Sequence, residues 1–413
     1  MDAAELNYCE SVDINKTVVL TYGTRKQSTY FGVGAIAKFA DALETMGVET
    51  VGFICSNSAY KRCGAWEHIE KILAEKKIEH LMYNKIVTNP TCTSIDECRD
   101  LFLPKYNEKF CVVAIGGGSP IDSAKSVAVL LEHKDKTARE LYKFQFAPER
   151  RAPLIAINIT AGTGTEANKF AVASILDEEI PLKPALATPV IYPDISINDP
   201  ALLCSTSPFQ TACTAVDAMN HVTEASTTSI ATPFSTNLGR TVCNLVAHYL
   251  PVALKEPSNL RARYWLHYAA CIAGMSFDES LLHITHAMEH TLSAYVANLT
   301  HGLGLALLQP GVVAHIWADE VAAKTLCYVL KPMIGEFAGK PEEAQDVAKA
   351  LRKWHESVGI KDTMATMGFT KDGIEKLVDA TIACPGMDGL LALSPVKVER
   401  EDMARIYLTG FFE

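Results

Sequence analysis

Residues 111–125 read CVVAIGGGSPIDSAK, and this stretch predicts a buried strand, a glycine turn and then a helix. The apolar run before the glycines is typical of a strand covered on both faces. Gly116, Gly117 and Gly118 leave room for a ligand at the backbone, while Ser119 can cap the helix and Pro120 suits its first turn. Helix N-terminal amides favour an anion such as a pyrophosphate, although a tight turn without a ligand would need the same glycines.

The same alternation of strand and helix runs through the first 200 residues. Strands are predicted at 17–23, 50–56, 110–116 and 153–159, and helices at 35–47, 65–77, 94–106 and 122–134. Such alternation predicts a mainly parallel sheet covered by helices, with ligands bound at the carboxyl ends of the strands. After residue 200 the sequence shows almost only helical periodicity. We therefore predict an α/β domain over 1–200 and an all-helical domain over 201–413, with the boundary near Asp199–Pro200.

A second glycine-rich loop follows the strand at 153–159. Within residues 158–170, NITAGTGTEANKF, the segment 160–165 is small and rich in hydroxyl groups, which can donate to phosphate or amide groups. The alternative is an ordinary surface loop. Two such loops at the ends of adjacent strands favour a dinucleotide, and therefore a Rossmann-like cofactor domain.

Composition excludes several classes of protein. The formal charge is −10 and no long Lys/Arg run occurs, so a nucleic-acid partner is not expected. The twelve cysteines form no CxxC pair, which indicates free thiols in a reducing compartment. The first 16 residues lack the pattern of a secretory leader, and the apolar stretch 303–318 is broken by Gln309 and Pro310, so it favours a buried helix over a membrane span. A cytoplasmic enzyme is predicted.

The helical half contains an unusual cluster of histidines. Four of the twelve histidines lie within residues 283–302, HITHAMEHTLSAYVANLTHG. Asp217 and His221 share one helix face at i, i+4, and His286 and His290 repeat that spacing, with His301 further on. Together they could hold a divalent cation. The alternative is two unrelated pairs, one on each helix.

These residues together resemble the iron-dependent (group III) alcohol dehydrogenase family. The resemblance extends almost from end to end and is carried by YFGVGAIAKFADAL, NPTCTSIDE, GGGSPIDSAK, TAGTGTE, DPALLCSTSPFQTACTAVDAMNHVTEA and HAMEHTLSAYVANLTHG. It implies a dehydroquinate synthase-like two-domain architecture. The metal ligands that it implies are Asp217, His221, His286 and His301. His290 is implied as a catalytic residue that helps to transfer a proton. The implied cofactor-binding residues are Asn57, Asn89, Gly117, Gly118, Ser119, Asp122, Thr160, Thr163, Lys183 and Thr206.

The resemblance leaves the cofactor form open. Many members carry an acidic residue after the second strand, where Asn57 stands here, and an acidic residue there would repel a 2′-phosphate. Lys61 and Arg62 follow closely and could help to bind such a phosphate. NAD(H) is expected, with NADP(H) not excluded.

The resemblance also implies the chemistry. Fe²⁺, or Zn²⁺ or another divalent metal, would polarise the oxygen of a short-chain alcohol or aldehyde, including functionalised ones such as lactaldehyde or sulfoacetaldehyde, while a hydride passes to or from the nicotinamide. The alternatives are a zinc-dependent polyol dehydrogenase of the sister group and a metal-dependent hydrolase without a nicotinamide. A homodimer or larger homo-oligomer is implied, and neither nucleic acid nor membrane is expected as a partner.

Overall fold

The structure, a computed structural model, describes residue 6, residues 9–22 and residues 27–412. Residues 1–5, 7 and 8, which belong to the start where no secretory leader is predicted, lie outside the described residues. Gly23, at the end of the first predicted strand, also lies outside them. The strands are β1 Val18–Tyr22, β2 Gln27–Phe31, β3 Thr50–Ser56, β4 Glu79–Ile86, β5 Phe110–Gly116, β6 Leu154–Asn158, β7 Phe170–Val172, β8 Ala185–Ala187 and β9 Ile195–Asn198.

Helices surround the sheet and then form the rest of the chain. In the first half they are α1 Phe39–Thr45, α2 Ala59–Arg62, α3 Ala65–Lys76, α4 Cys92–Phe102, α5 Gly118–Glu132 and α6 Ala138–Tyr142. In the second half they are α7 Pro208–Ala225, α8 Pro233–Lys255, α9 Leu260–Ser280, α10 Ile284–Tyr295, α11 His301–Ile316, α12 Glu320–Val329, α13 Lys331–Ile334, α14 Ala344–Ser357, α15 Ile374–Ala383, α16 Met387–Leu391 and α17 Arg400–Thr409.

Seven strands form one sheet in the order β1-β2-β9-β6-β5-β3-β4. Six of them are parallel, and β1 pairs antiparallel with β2 at one edge. Along β5, Val112 and Ala114 join one hydrophobic cluster while Cys111, Val113 and Ile115 join another on the opposite face. This alternation confirms a parallel sheet with both faces covered by helices.

The sheet brings the ends of four strands to one edge. Ser56, Gly116, Asn158 and Asn198 end β3, β5, β6 and β9, and the register pairs Gly116 with Asn158 and Asn158 with Asn198. The two glycine-rich loops leave the sheet at this edge. The predicted position for a ligand therefore lies at the carboxyl ends of the strands.

One detail of the glycine turn differs from the prediction. Helix α5 begins at Gly118, its N-cap is Gly117, and no side chain caps it, so Ser119 lies inside the first turn. Gly117 adopts an extended backbone that directs the chain into the helix two residues earlier than expected. Pro120 does lie in the first turn, as predicted.

The second half is helical as predicted, and within the described residues no strand follows Asn198. Its core packs α7, α8, α9 and α11 together and also reaches Phe31 and Ala161 of the first half. The domain boundary near residue 200 stays a prediction. The twelve cysteines form no disulfide with one another, and most of them are buried. Over the described ranges, no helix combines the length and hydropathy that crossing a bilayer requires.

Candidate active site

The predicted metal ligands converge on one carboxylate oxygen. Asp217 Oδ1 lies 3.5 Å from His221 Nε2, 3.7 Å from His286 Nε2 and 3.9 Å from His301 Nε2. Ligand atoms that share an ion at bond lengths of about 2.1 Å lie roughly 3.4 Å apart in a tetrahedral site. Asp217, His221 and His286 also form a buried group whose ligand atoms are close enough to hold one ion.

Three helices bring these side chains together. Asp217 and His221 lie one turn apart on α7, His286 lies on α10, and His301 is the first residue of α11. Helix α11 approaches α7 so closely that a Cβ on Gly302 would lie 1.8 Å from the carbonyl oxygen of Cys213. Only glycine permits this approach, which sets His301 beside Asp217.

The residues fit a cation because buried polar atoms point at one another without partners. Asp217 Oδ1 and His286 Nε2 are buried and make no hydrogen bond. Buried polar groups normally have a partner, so their shared orientation fits a divalent cation bound between them. Burial opposes a charge on Asp217, yet the neighbouring imidazoles hold the pKa of its carboxyl well below the usual range. Burial lowers the pKa of His221 to about 3, which keeps the imidazole in its metal-binding neutral form.

Two buried glutamates that the sequence reasoning missed support the ligands. Glu224 Oε2 accepts a hydrogen bond from His286 Nδ1, while Oε1 accepts backbone N–H bonds from His283 (3.0 Å) and Thr285 (2.9 Å) at the start of α10. Glu289 Oε2 lies against His301 Nδ1. Each contact fixes the ring so that Nε2 faces Asp217, the usual carboxylate–histidine–metal arrangement.

The pKa values of Glu224 and His286 reflect both their burial and their contact with each other. Burial would raise the pKa of Glu224, but His286 and the backbone donors hold it at about 2. Burial likewise disfavours a charge on His286, but Glu224 and Asp217 raise its pKa to about 9. The sequence did carry a signal for Glu224, because residues 217, 221 and 224 share one face of α7 at spacings of four and three.

His290 lies one turn after His286, as predicted, with its ring centroid 5.7 Å from that of His301. Burial, followed by the charge of Lys183, lowers its pKa well below the ordinary value, so the ring is neutral. Glu289, His290 and His301 form a second group that could hold an ion. The structure therefore contains two neighbouring groups of possible metal ligands. His301 belongs to the second group, and its Nε2 also lies 3.9 Å from Asp217 Oδ1 of the first. His283, to which no role was assigned, pairs with Thr227 at 2.9 Å.

A cleft of about 640 Å³ runs from the glycine turn to the metal ligands. Seven of the predicted cofactor residues line it: Asn89, Gly117, Gly118, Ser119, Thr160, Thr163 and Thr206. A Cβ on Gly117 would lie 2.6 Å from Thr160 Oγ1, and one on Gly118 would lie 2.7 Å from Thr163 Cγ2. The two glycine-rich loops therefore pack directly on each other, and both glycines are required.

The other three predicted cofactor residues are placed differently. Lys183 is buried and donates to Asn89 Oδ1 at 2.9 Å, so it reaches the cleft through that amide. Asp122 lies on a neighbouring cavity and accepts hydrogen bonds from Thr165 Oγ1 (2.7 Å) and the Val172 N–H (3.1 Å). Asn57 is exposed after β3 and does not line the cleft, whereas Arg62 does. The assigned roles of all ten residues stay predictions.

A second cavity of about 480 Å³ opens on the other side of the histidines. His221, His286 and His290 line this cavity, Asp217 lines the cleft, and Thr163 and His301 line both. An ion held by these residues would lie where the cleft meets a mainly apolar chamber. Such a junction brings a cofactor and a small substrate together.

Comparison with known proteins gives consistent matches along the chain. The family model described as iron-containing alcohol dehydrogenase matches residues 26–200, and that of the Fe-containing alcohol dehydrogenase family, C-terminal, matches residues 211–411. A long-chain primary alcohol dehydrogenase, AdhA, from Thermoanaerobacter ethanolicus is 43% identical over 94% of this chain and 96% of its own length.

Solved structures show the same fold. An archaeal halo-thermophilic alcohol dehydrogenase from a Red Sea brine pool superposes with a TM-score of 0.86 at 24% identity, covering 96% of this chain and 98% of its own. An NADH-dependent butanol dehydrogenase from Thermotoga maritima gives a TM-score of 0.85 at 22% identity, covering 95% and 98% respectively. The predicted two-domain fold class is confirmed by these neighbours.

Proposed function

Since the chain belongs to the iron-containing alcohol dehydrogenase family, we propose that it passes a hydride between NAD(P)(H) and a primary alcohol or its aldehyde beside one Fe²⁺ ion. That it is an alcohol dehydrogenase follows from the family and from its relatives. The ion, its ligands, the cofactor form and the substrate are our proposal. The observation that supports it most is the meeting of cleft and chamber at Asp217, His221, His286 and His301.

These four residues would hold the ion, with His286 and His301 fixed by Glu224 and Glu289. When bound, a divalent ion supplies Lewis-acid polarisation of the substrate oxygen. The amides of the Gly117–Gly118 turn and the hydroxyls of Thr160 and Thr163 would bind and orient the dinucleotide. Neutral His290, which lines the chamber, would accept the alcohol proton during oxidation and return it during reduction.

The direct test uses protein purified and loaded with Fe²⁺ without oxygen, mixed with primary alcohols and aldehydes and either NADH/NAD⁺ or NADPH/NADP⁺. We expect turnover monitored by nicotinamide absorbance, and a change of nicotinamide fluorescence on binding. A protein that shows neither, yet hydrolyses esters, would be the metal-dependent hydrolase. Turnover with zinc and polyols alone would instead identify the sister group. The homo-oligomeric state and the cytoplasmic location stay predictions.

Glu224→Gln is expected to weaken metal binding about 10- to 100-fold, because it removes the carboxylate that orients His286. The measurement is a competitive titration of apoprotein with a metal-sensitive dye. The matched control is Glu166→Gln, an equally buried glutamate that bonds Asn198 and lies outside the metal site. Equal metal affinity in the wild type and Glu224→Gln would contradict a role for Glu224 in the centre.

Arg62→Ala is expected to raise KM for NADPH about tenfold or more, since a charge-assisted bond to phosphate contributes about 1.5–3 kcal/mol. Arg62 lines the cleft beside Ser56 and Ala59, and among the described residues no carboxylate lines that end of the cleft. KM for NADH should change less than about twofold. Lys71→Ala, an exposed lysine on α3 that pairs with Glu67 and lies outside the cleft lining, is the control. A loss that is equal for both cofactors would show that Arg62 does not read the 2′-phosphate.

A further inference from the structure

The chamber beside the histidines has mostly apolar walls. Phe277 and Leu281 form one part of the wall, and Met387, Leu390 and Leu393 form another. Among the described residues no lysine or arginine lines it. A substrate tail in this chamber would meet hydrocarbon almost everywhere beyond the histidines.

Beyond the histidines, the carboxylate and the amide that line the chamber already have hydrogen-bond partners. Asp122 accepts from Thr165 and from the Val172 N–H, and Asn168 Nδ2 donates to the carbonyl of Gly164 at 3.0 Å. A charged or hydroxylated tail would lose its hydration without gaining a partner, which is costly. The chamber therefore selects against such tails.

The rim of the chamber is formed by α16 and the residues that flank it. Gly386 is the N-cap of α16, Gly389 lies inside the helix, and Leu390 and Leu393 line the chamber beside them. Gly386 has φ +81°, so its backbone requires glycine, whereas Gly389 has no positive φ. No atom lies within 4 Å of the position that a Cβ on Gly389 would take. The absence of a side chain at Gly389 therefore leaves open space, although the backbone conformation at this position does not require glycine.

Phe144 stands at the same rim. It is 47% exposed, an unusual state for so large an apolar ring, and its Cε2 lies 3.5 Å from the position of a Cβ on Gly386. Phe144 also adopts φ +54°, a conformation rare outside glycine. An apolar tail leaving the chamber between this ring and Gly389 would cover the ring.

We infer, resting on the proposed function, that the substrate is a primary alcohol or aldehyde with an uncharged apolar chain, and that Gly389 and Phe144 set the longest chain accepted. The chamber volume of about 480 Å³ is several times that of a cavity which holds one benzene. Part of this volume belongs to the nicotinamide, because Thr163 lines both cavities.

The test is a series of primary alcohols from ethanol to dodecanol with the Fe²⁺-loaded protein. Each added methylene should raise kcat/KM about fourfold until the chamber is full, after which the series should level off. The diol of the same length as octanol should react at least about tenfold less well than octanol, because its second hydroxyl finds no partner.

Two variants test the rim residues independently. Gly389→Leu should lower the ratio of kcat/KM for decanol over butanol by about tenfold or more and move the plateau to shorter chains. Phe144→Ala should lower the same ratio through lost contact, and it keeps the inference testable if Gly389→Leu does not fold. Leu408→Ala, an exposed apolar residue on α17 outside the chamber lining, is the control and should keep the wild-type ratio.

The outcomes separate this inference from the proposed function. Turnover without dependence on chain length, or a wild-type ratio in both rim variants, would overturn the inference and leave the proposed function standing. No turnover of any alcohol or aldehyde would overturn the proposed function itself. Preferred turnover of diols or charged aldehydes would also overturn the inference.

Discussion

Replacing His286 with alanine should remove the bound iron and nearly all turnover together. His286 Nε2 has no hydrogen-bond partner and lies 3.7 Å from Asp217 Oδ1, so its predicted task is to bind the ion. Lewis-acid stabilisation contributes several kcal/mol, so kcat should fall at least about 1000-fold. The measurements are iron per chain by elemental analysis and kcat with a primary alcohol, both without oxygen.

Controls separate a lost ligand from a lost fold. His286→Ala leaves Glu224 with its backbone partners at the start of α10, so circular dichroism should remain that of the wild type. His355→Ala is the matched control, because this buried imidazole bonds Gln309 outside the site. It should keep both iron and turnover. A folded His286→Ala protein with full iron content would contradict the assignment of His286 as a ligand.

The second large effect is expected for His290→Ala, which should lower kcat by about 100- to 10,000-fold while iron stays bound. His290 lines the chamber but is not one of the three histidines around Asp217 Oδ1. Its neutral ring is available for a proton. Loss of iron in parallel with activity would instead place His290 among the ligands, in the group with Glu289 and His301. A kcat within about twofold of wild type would remove His290 from the chemistry.

Local sequence patterns predicted the strands that are buried on both faces. β3, β5 and β6 are short apolar runs, and the structure contains all three. β4 was missed because it is an edge strand, EHLMYNKI, whose outer residues are exposed and polar. β9 is only four residues long and carries Ser196 and Asn198, so its apolar signal is weak. Their positions depend on pairing with distant strands, which a local pattern does not encode.

Spacing on helices predicted which site residues share a face, but not what supports them. Asp217 and His221 were predictable as one pair, and His286 and His290 as another, because each pair lies one turn apart. Whether the pairs meet depends on the close contact of Gly302 with Cys213, which is a tertiary property. The hydrogen bond between Glu224 and His286 also depends on tertiary packing, because the two residues lie on different helices. For Asn57, by contrast, the position in the sequence did not predict which side chain reaches the cleft. The chain turns after β3, so Arg62 lines the cleft and Asn57 does not.

The most direct test of the central claim is anomalous X-ray diffraction at the iron edge from crystals of Fe²⁺-loaded protein grown without oxygen. We expect one iron peak per chain, within about 2.0–2.3 Å of Asp217 Oδ1 and of Nε2 of His221, His286 and His301. A peak held by Glu289, His290 and His301, or the absence of a peak in crystals of fully active protein, would contradict the account.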